Sequence, residues 1–251
     1  MRIAVTGKGG AGKSTISGAL SRQFARQGHK VVAVDADPNP NLGISLGVQP
    51  STVESMRPIL NALIDSGHTH NDPMPRAEDL LDRYGIGAPE GITLVATGKI
   101  ERPTDACLCC GSHNTTRQFF GDLTAGDRIV VADLEAGLND LIWARPGPDD
   151  VVVVVTETSA KSFEIARRAV ALAQEMGVQR IIGVANRAAP GLEPTTVADR
   201  LGVREVVVVP EDPALERADH LGMAAMDNDP TSPAMLAIAD LAIAVVAEQL
   251  T

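Results

Sequence analysis

Gly7-Lys8-Gly9-Gly10-Ala11-Gly12-Lys13-Ser14, with Thr15 behind it, is the stretch whose reading decides the fold. It spells G-x-x-x-x-G-K-[ST] without a gap. It stands between an apolar run, residues 2–6 (RIAVT), and a helical pattern over residues 14–27 that closes at Gly28. That strand–loop–helix setting separates a phosphate-binding loop from a chance cluster of glycines. Glycines let the backbone wrap a phosphate closely, with successive N–H groups turned inward. The helix N-terminus adds a dipole that favours negative charge. Lys13 is placed to reach the outer phosphates, and the Ser14 hydroxyl to ligate Mg²⁺. The expected ligand is ATP or ADP with Mg²⁺.

Outward from this loop, apolar runs recur at residues 30–35, 92–97, 128–133, 151–156, 180–185 and 205–209. They are continuous rather than alternating, which suits strands buried on both faces of a parallel sheet. Helical stretches lie between them, most clearly 159–176, opened by Ser159 and closed by Gly177. The alternation predicts one α/β domain over 1–251: a single doubly wound, mostly parallel sheet with helices on both faces. Residues 67–91 break the rhythm and read as a surface excursion with a short helix near 76–83.

Two strand ends carry acidic pairs. Asp35 closes the second run and Asp37 follows it, stiffened by Pro38 and Pro40. Ligands bind at this edge of a doubly wound sheet. Asp35 is expected to support Mg²⁺ through water and Asp37 to orient the attacking water. The plain alternative is a capping Asp at a strand–loop junction. The fourth run ends in Asp133-Leu134-Glu135-Ala136-Gly137, an arrangement that holds Mg²⁺ through Asp133 and lets Gly137 swing toward a γ-phosphate.

By itself Lys8 reads as a solvated surface lysine. In its setting, K-G-G-x-G-K-S-T resembles the deviant phosphate loop of the nitrogenase iron protein, MinD, ParA and ArsA superfamily. The resemblance implies that Lys8 reaches across a dimer interface to the partner's nucleotide, so that Lys8, Lys13 and Asp37 serve catalysis in a nucleotide-sandwich homodimer. It also implies that Asn186 bonds the adenine and that Pro210, Glu211 and Asp212 close over the base. Ordinary strand-end turn residues are the other reading of these short matches.

Cys107, Cys109 and Cys110, the chain's three cysteines, fall within four residues ahead of a predicted helix. Thiolates are soft ligands for zinc, nickel, copper or iron–sulfur centres. C-x-C brings two sulfurs to one metal, and a two-fold dimer supplies the second pair. A redox-sensitive loop is the alternative. The combination of this cluster with D-A-D-P-N and D-x-E-A-G resembles the CooC-type ATPase family, which assists nickel insertion into carbon monoxide dehydrogenase. That resemblance implies Cys107 and Cys109 as ligands of a metal shared across the dimer, zinc or nickel ahead of an iron–sulfur cluster. Cys110 stands where the family more often has Pro. Ala136 replaces the cluster-binding cysteine of the nitrogenase iron protein, which weighs against an iron–sulfur reductase. His68, His70 and His113 read as surface or supporting residues.

Composition narrows the partners. Lys and Arg number 22 against 32 Asp and Glu, a net charge of −10, so the chain is not built to neutralise nucleic-acid phosphates. The Ala/Leu/Ile-rich stretch 232–249 holds two acidic residues and no basic one, which argues against a membrane-targeting helix and against a MinD- or ParA-like positioning role. No signal peptide or membrane span is expected, and the expected setting is cytoplasmic. The expected partners are a second copy of the chain and a client metalloenzyme.

Overall fold

Continuous Val and Ile runs become central strands because both their faces find apolar cover. In β6 (Val151–Thr156) every residue is buried. Val151, Val153 and Val155 join one apolar cluster, and Val152 and Val154 join the other, on the opposite face of the sheet. Fully burying such a side chain contributes roughly 1.5–3 kcal/mol. The computed structural model describes residues 1–69, 72–100, 108–123 and 125–247, with backbone alone for 108–113.

The chain runs β1 (Arg2–Gly7), α1 (Lys13–Arg26), β2 (Lys30–Asp35), α2 (Leu42–Leu46), α3 (Pro50–Ser55), α4 (Ile59–Asp65), α5 (Ala77–Tyr84), β3 (Ile86–Gly87) and β4 (Thr93–Ala96). It continues through α6 (Leu108–Asp122), β5 (Arg128–Asp133), α7 (Asn139–Ala144), β6, α8 (Ala160–Glu175) and β7 (Arg180–Ala188). The last elements are α9 (Pro194–Leu201), β8 (Glu205–Pro210), α10 (Pro213–His220), α11 (Ala225–Asn228) and α12 (Pro233–Ala247). The eight strands form one sheet in the order β3-β4-β2-β5-β1-β6-β7-β8. Every pairing is parallel except β3 with β4. Helices α1, α2 and α12 pack on one face through residues such as Ile16, Leu20, Leu46, Ile238 and Leu241. Helices α4 to α9 cover the other through Leu63, Leu80, Phe119, Phe120, Leu141, Phe163 and Val197.

Three departures from the sequence reading matter. The excursion over 67–91 contributes a two-residue antiparallel edge strand, β3, which no apolar run announces because it holds one apolar residue, Ile86, between Gly85 and Gly87. Strand β7 continues past Ala185 to Ala188 and carries Asn186 in the register irregularity between those two residues. Helix α6 begins at Leu108, so Cys109 and Cys110 lie in its first turn rather than ahead of it. Among the described residues no helix is long and apolar enough to cross a membrane.

Helix α1 is anchored at its far end. Arg22 is 4% exposed. Its Nε and Nη2 grip Glu90 at 2.7 and 2.9 Å, and its Nη1 meets Asp227 at 2.7 Å. Two loops are thereby tied to the helix that starts at the phosphate loop.

Candidate functional site

The loop after β1 sits where the strand order changes direction, between β5 and β6, the place where open α/β sheets bind ligands. Two of its glycines are dictated by space. A Cβ on Gly7 would lie 2.2 Å from the Val155 carbonyl oxygen, and one on Gly12 would lie 2.2 Å from Asn186 Nδ2. Gly12 also takes a left-handed φ of 92°. The Ala11 N–H donates to the Lys8 carbonyl at 3.2 Å and closes the turn. Lys13, the first residue of α1, is 7% exposed; Lys8 is half-buried, and Gly9 and Gly10 are exposed. Thr15 lines a small cleft with Ile44, Ser45, Leu215 and Met223.

The acidic residues converge on this loop. Asp35 and Asp133 are register partners at the ends of β2 and β5, and both are buried. Asp133 accepts the Ser17 hydroxyl at 3.1 Å, and the Ser14 hydroxyl lies near enough to draw its carboxyl down. Burial pushes its carboxyl up to about 6, against the opposing pull of those hydroxyls and the Lys13 charge. Burial, reinforced by the nearby Asp133, also pushes Asp35 well up. Asp35 organises the following loop: its Oδ2 accepts the Leu42 N–H at 2.8 Å and its Oδ1 the Asp37 N–H at 3.3 Å. Asp37 is half-buried and accepts the Asn39 N–H at 2.8 Å. Burial raises its carboxyl, the Asn39 N–H opposes that, Glu135 adds to it, and Lys13 opposes it. The 134–137 segment lies against the phosphate loop, with the Gly137 N–H donating to the Gly7 carbonyl at 3.2 Å.

On the β7 and β8 side, Asn186 is 3% exposed, and its Nδ2 donates to the Ala11 carbonyl at 2.8 Å. Its Oδ1 is buried with no hydrogen-bond partner, an acceptor that the N–H of a ligand would satisfy. Pro210 ends β8, and the N–H of the exposed Glu211 donates to Ala188 at 3.1 Å. Asp212 has both carboxylate oxygens engaged by backbone. Its Oδ1 accepts the Ala214 N–H at 2.8 Å and its Oδ2 the Ala234 N–H at 3.0 Å, so it caps both α10 and α12.

Cys107 lies outside the described residues, as does His70, and Cys109, Cys110 and His113 belong to the part of α6 described by backbone alone. His68 lines a cavity of about 330 Å³ with Leu60, Leu63, Ile64 and Met74. Among the described residues no three His, Cys, Asp or Glu side chains converge to hold a metal.

Two residues of the site escape the sequence reading. Ser17 stands one helical turn after Ser14, a spacing that would have found it. Arg187, whose Nη1 donates to the Gly10 carbonyl at 3.0 Å, depends on a strand irregularity that no spacing reveals.

The residues present suit a nucleotide with its cation. The cradle is one that a Cβ would fill, a buried lysine faces carboxylates, and an orphaned amide oxygen waits beside it. Residues 3–226 match the CbiA family, the CobQ/CobB/MinD/ParA nucleotide binding domain. The carbon monoxide dehydrogenase accessory protein CooC of Rhodospirillum rubrum is 30% identical over 241 residues, covering 92% of this chain and 91% of the relative. The cytosolic Fe-S cluster assembly factor NUBP2 of Homo sapiens is 28% identical, over 96% of this chain and 89% of that one. The fold is similar to that of the septum site-determining protein MinD from Pyrococcus horikoshii OT3, complexed with Mg-ADP, at a TM-score of 0.77 and 21% identity over 97% and 95% of the two chains. On these likenesses the chain belongs to the CobQ/CobB/MinD/ParA nucleotide-binding family and, within it, to the CooC-type proteins.

Proposed function

We propose that the protein is an ATP-hydrolysing, homodimeric metallochaperone or maturation factor. It couples nucleotide-driven dimer closure to the handling of a thiolate-bound metal for a metalloenzyme such as carbon monoxide dehydrogenase. The convergence of Lys13, Asp37 and Asp133 on one glycine-built loop carries the ATPase part. The likeness to a carbon monoxide dehydrogenase accessory protein over nine-tenths of both chains supports the maturation part.

The chain's own residues divide the work. Loop N–H groups and the start of α1 bind the phosphates, and Lys13 neutralises charge on the outer ones. Ser14 would hold Mg²⁺ directly, and Asp133 and Asp35 through water. When bound, the cation neutralises charge that develops on the β- and γ-phosphates. Asp37 orients the attacking water. Its raised carboxyl makes it a better proton acceptor than an ordinary surface aspartate. Lys8 acts on the nucleotide of the partner copy. Gly137, bonded to Gly7, connects the state of the phosphate loop to the segment that precedes α7. The cargo, zinc or nickel, is held by Cys107 and Cys109 of both copies, and the protein works in the cytoplasm.

Apo-carbon monoxide dehydrogenase given nickel, Mg-ATP and this protein tests the proposal. Activation is expected to be faster than with nickel alone and to need ATP. Wild-type protein that releases phosphate from ATP but leaves activation unchanged would contradict the client. Wild-type protein that releases no phosphate would contradict the ATPase.

A further inference from the structure

Asn186 and Arg187 are consecutive, yet both side chains reach the phosphate loop. Asn186 Nδ2 donates to the Ala11 carbonyl at 2.8 Å and Arg187 Nη1 to the Gly10 carbonyl at 3.0 Å. In a regular strand neighbouring side chains point to opposite faces. Here the pairing of β7 with β8 slips: Ala185 stands opposite Val208 and Ala188 opposite Pro210, so three steps on one strand match two on the other. Such a bulge bends a strand and re-aims its side chains.

The backbone shows the cost. Arg187 sits at φ 51°, the left-handed region that a residue with a Cβ seldom adopts. A glycine would relieve it. The Arg187 guanidinium also meets Glu157 at 2.9 Å, just past the end of β6. Its side chain is 57% exposed, and an ion pair that open to water contributes little to stability. Holding the fold together therefore does not account for the strain. Contact with the phosphate loop does, since backbone strain persists where the surroundings enforce it and gathers at functional sites.

We propose that Arg187 is a positioning residue of the phosphate loop. The β7 bulge delivers its guanidinium onto the Gly10 carbonyl and holds that carbonyl toward Arg187, away from the phosphates. Glu157 steadies the guanidinium from the other side. With Asn186 holding Ala11 next door, two successive carbonyls are pinned and the loop N–H groups are left to face an anion. The proposal rests on the nucleotide-binding reading of the loop.

The test compares wild type with Arg187→Gly, Arg187→Ala and Arg187→Lys. It measures the Kd for ATP with Mg²⁺, by competition with a fluorescent ATP analogue, and Tm without nucleotide. Arg187→Gly is expected to keep or raise Tm, because the left-handed backbone is relieved. It is nevertheless expected to bind ATP about tenfold more weakly, the scale of one lost hydrogen bond to a charged donor. Arg187→Ala weakens binding similarly, and Arg187→Lys recovers part of it. Wild-type Kd in both Arg187→Gly and Arg187→Ala overturns the positioning role while the ATP site stands. Weaker binding that tracks a fall in Tm across all three variants, with no recovery in Arg187→Lys, overturns it as well. Wild-type protein that binds no ATP overturns the nucleotide reading and this proposal together.

Discussion

Asp35 and Asp133 lie side by side as register partners at the ends of β2 and β5, both closed off from solvent. Two carboxyls so placed hold a proton more tightly than they would in the unfolded chain. For Asp133 the value rises from 3.8 to about 6, with burial as the main cause. The stability this group contributes is complete below the unfolded value and is lost as pH rises through about 6. At about 1.4 kcal/mol per tenfold, the loss is on the order of 3 kcal/mol. Tm measured in EDTA without nucleotide should therefore fall between about pH 4 and pH 7, and Asp133→Asn should flatten that fall. A wild-type Tm that rises over this range, in parallel with the variant, would refute the account of the pair.

Gly12→Ala tests the cradle. The new methyl would meet Asn186 Nδ2 at 2.2 Å on a backbone of φ 92°. The variant is expected to lose about 1–3 kcal/mol of stability and to bind ATP far more weakly than Gly28→Ala. Gly28 has φ 88° but nothing within 4 Å of an added Cβ, so it controls for backbone strain alone. Equal ATP affinity in the two variants would show that contact with Asn186 does not shape the loop.

Lys13→Ala should abolish turnover and most ATP affinity. Lys8→Ala should keep ATP affinity but lose turnover and ATP-dependent dimerisation. Equilibrium binding beside sedimentation velocity separates the two. A Lys8→Ala protein that dimerises and hydrolyses like wild type would place Lys8 among ordinary surface lysines.

Asp37→Ala should bind Mg-ATP normally and hydrolyse it about a hundredfold or more slowly, the scale of a lost general base. A wild-type rate in single-turnover experiments would move the role to another carboxylate.

Much of this was legible in the sequence because a buried strand must be apolar on both faces. Residues 30–35, 128–133 and 151–156 are β2, β5 and β6 to the residue. The phosphate loop was legible because glycine spacing encodes close backbone approach, which the clashes at Gly7 and Gly12 display. What escaped depends on partners far away in sequence. The edge strand β3 is only Ile86 and Gly87, preceded by Gly85, and exists only because β4 lies beside it. Arg187 reaches Gly10 only through a register slip against β8. The second Asp212 oxygen caps α12, a helix that begins some twenty residues later, which no local spacing announces.

The central claim is that nucleotide, dimer and thiolate metal are one coupled system. Thiolate binding shared between two chains links metal to dimerisation, and reciprocity requires ATP and metal to strengthen each other by the same factor. The direct measurement is metal stoichiometry per chain together with molecular mass, on protein purified without oxygen, with and without ATP, for wild type, the Cys107→Ser/Cys109→Ser double variant and Cys110→Ser. The account predicts one metal per wild-type dimer, a larger dimer fraction with ATP, loss of metal and coupling but not of ATP binding in the double variant, and a smaller effect from Cys110→Ser. One metal per monomer regardless of association, or full metal content in the double variant, would contradict it.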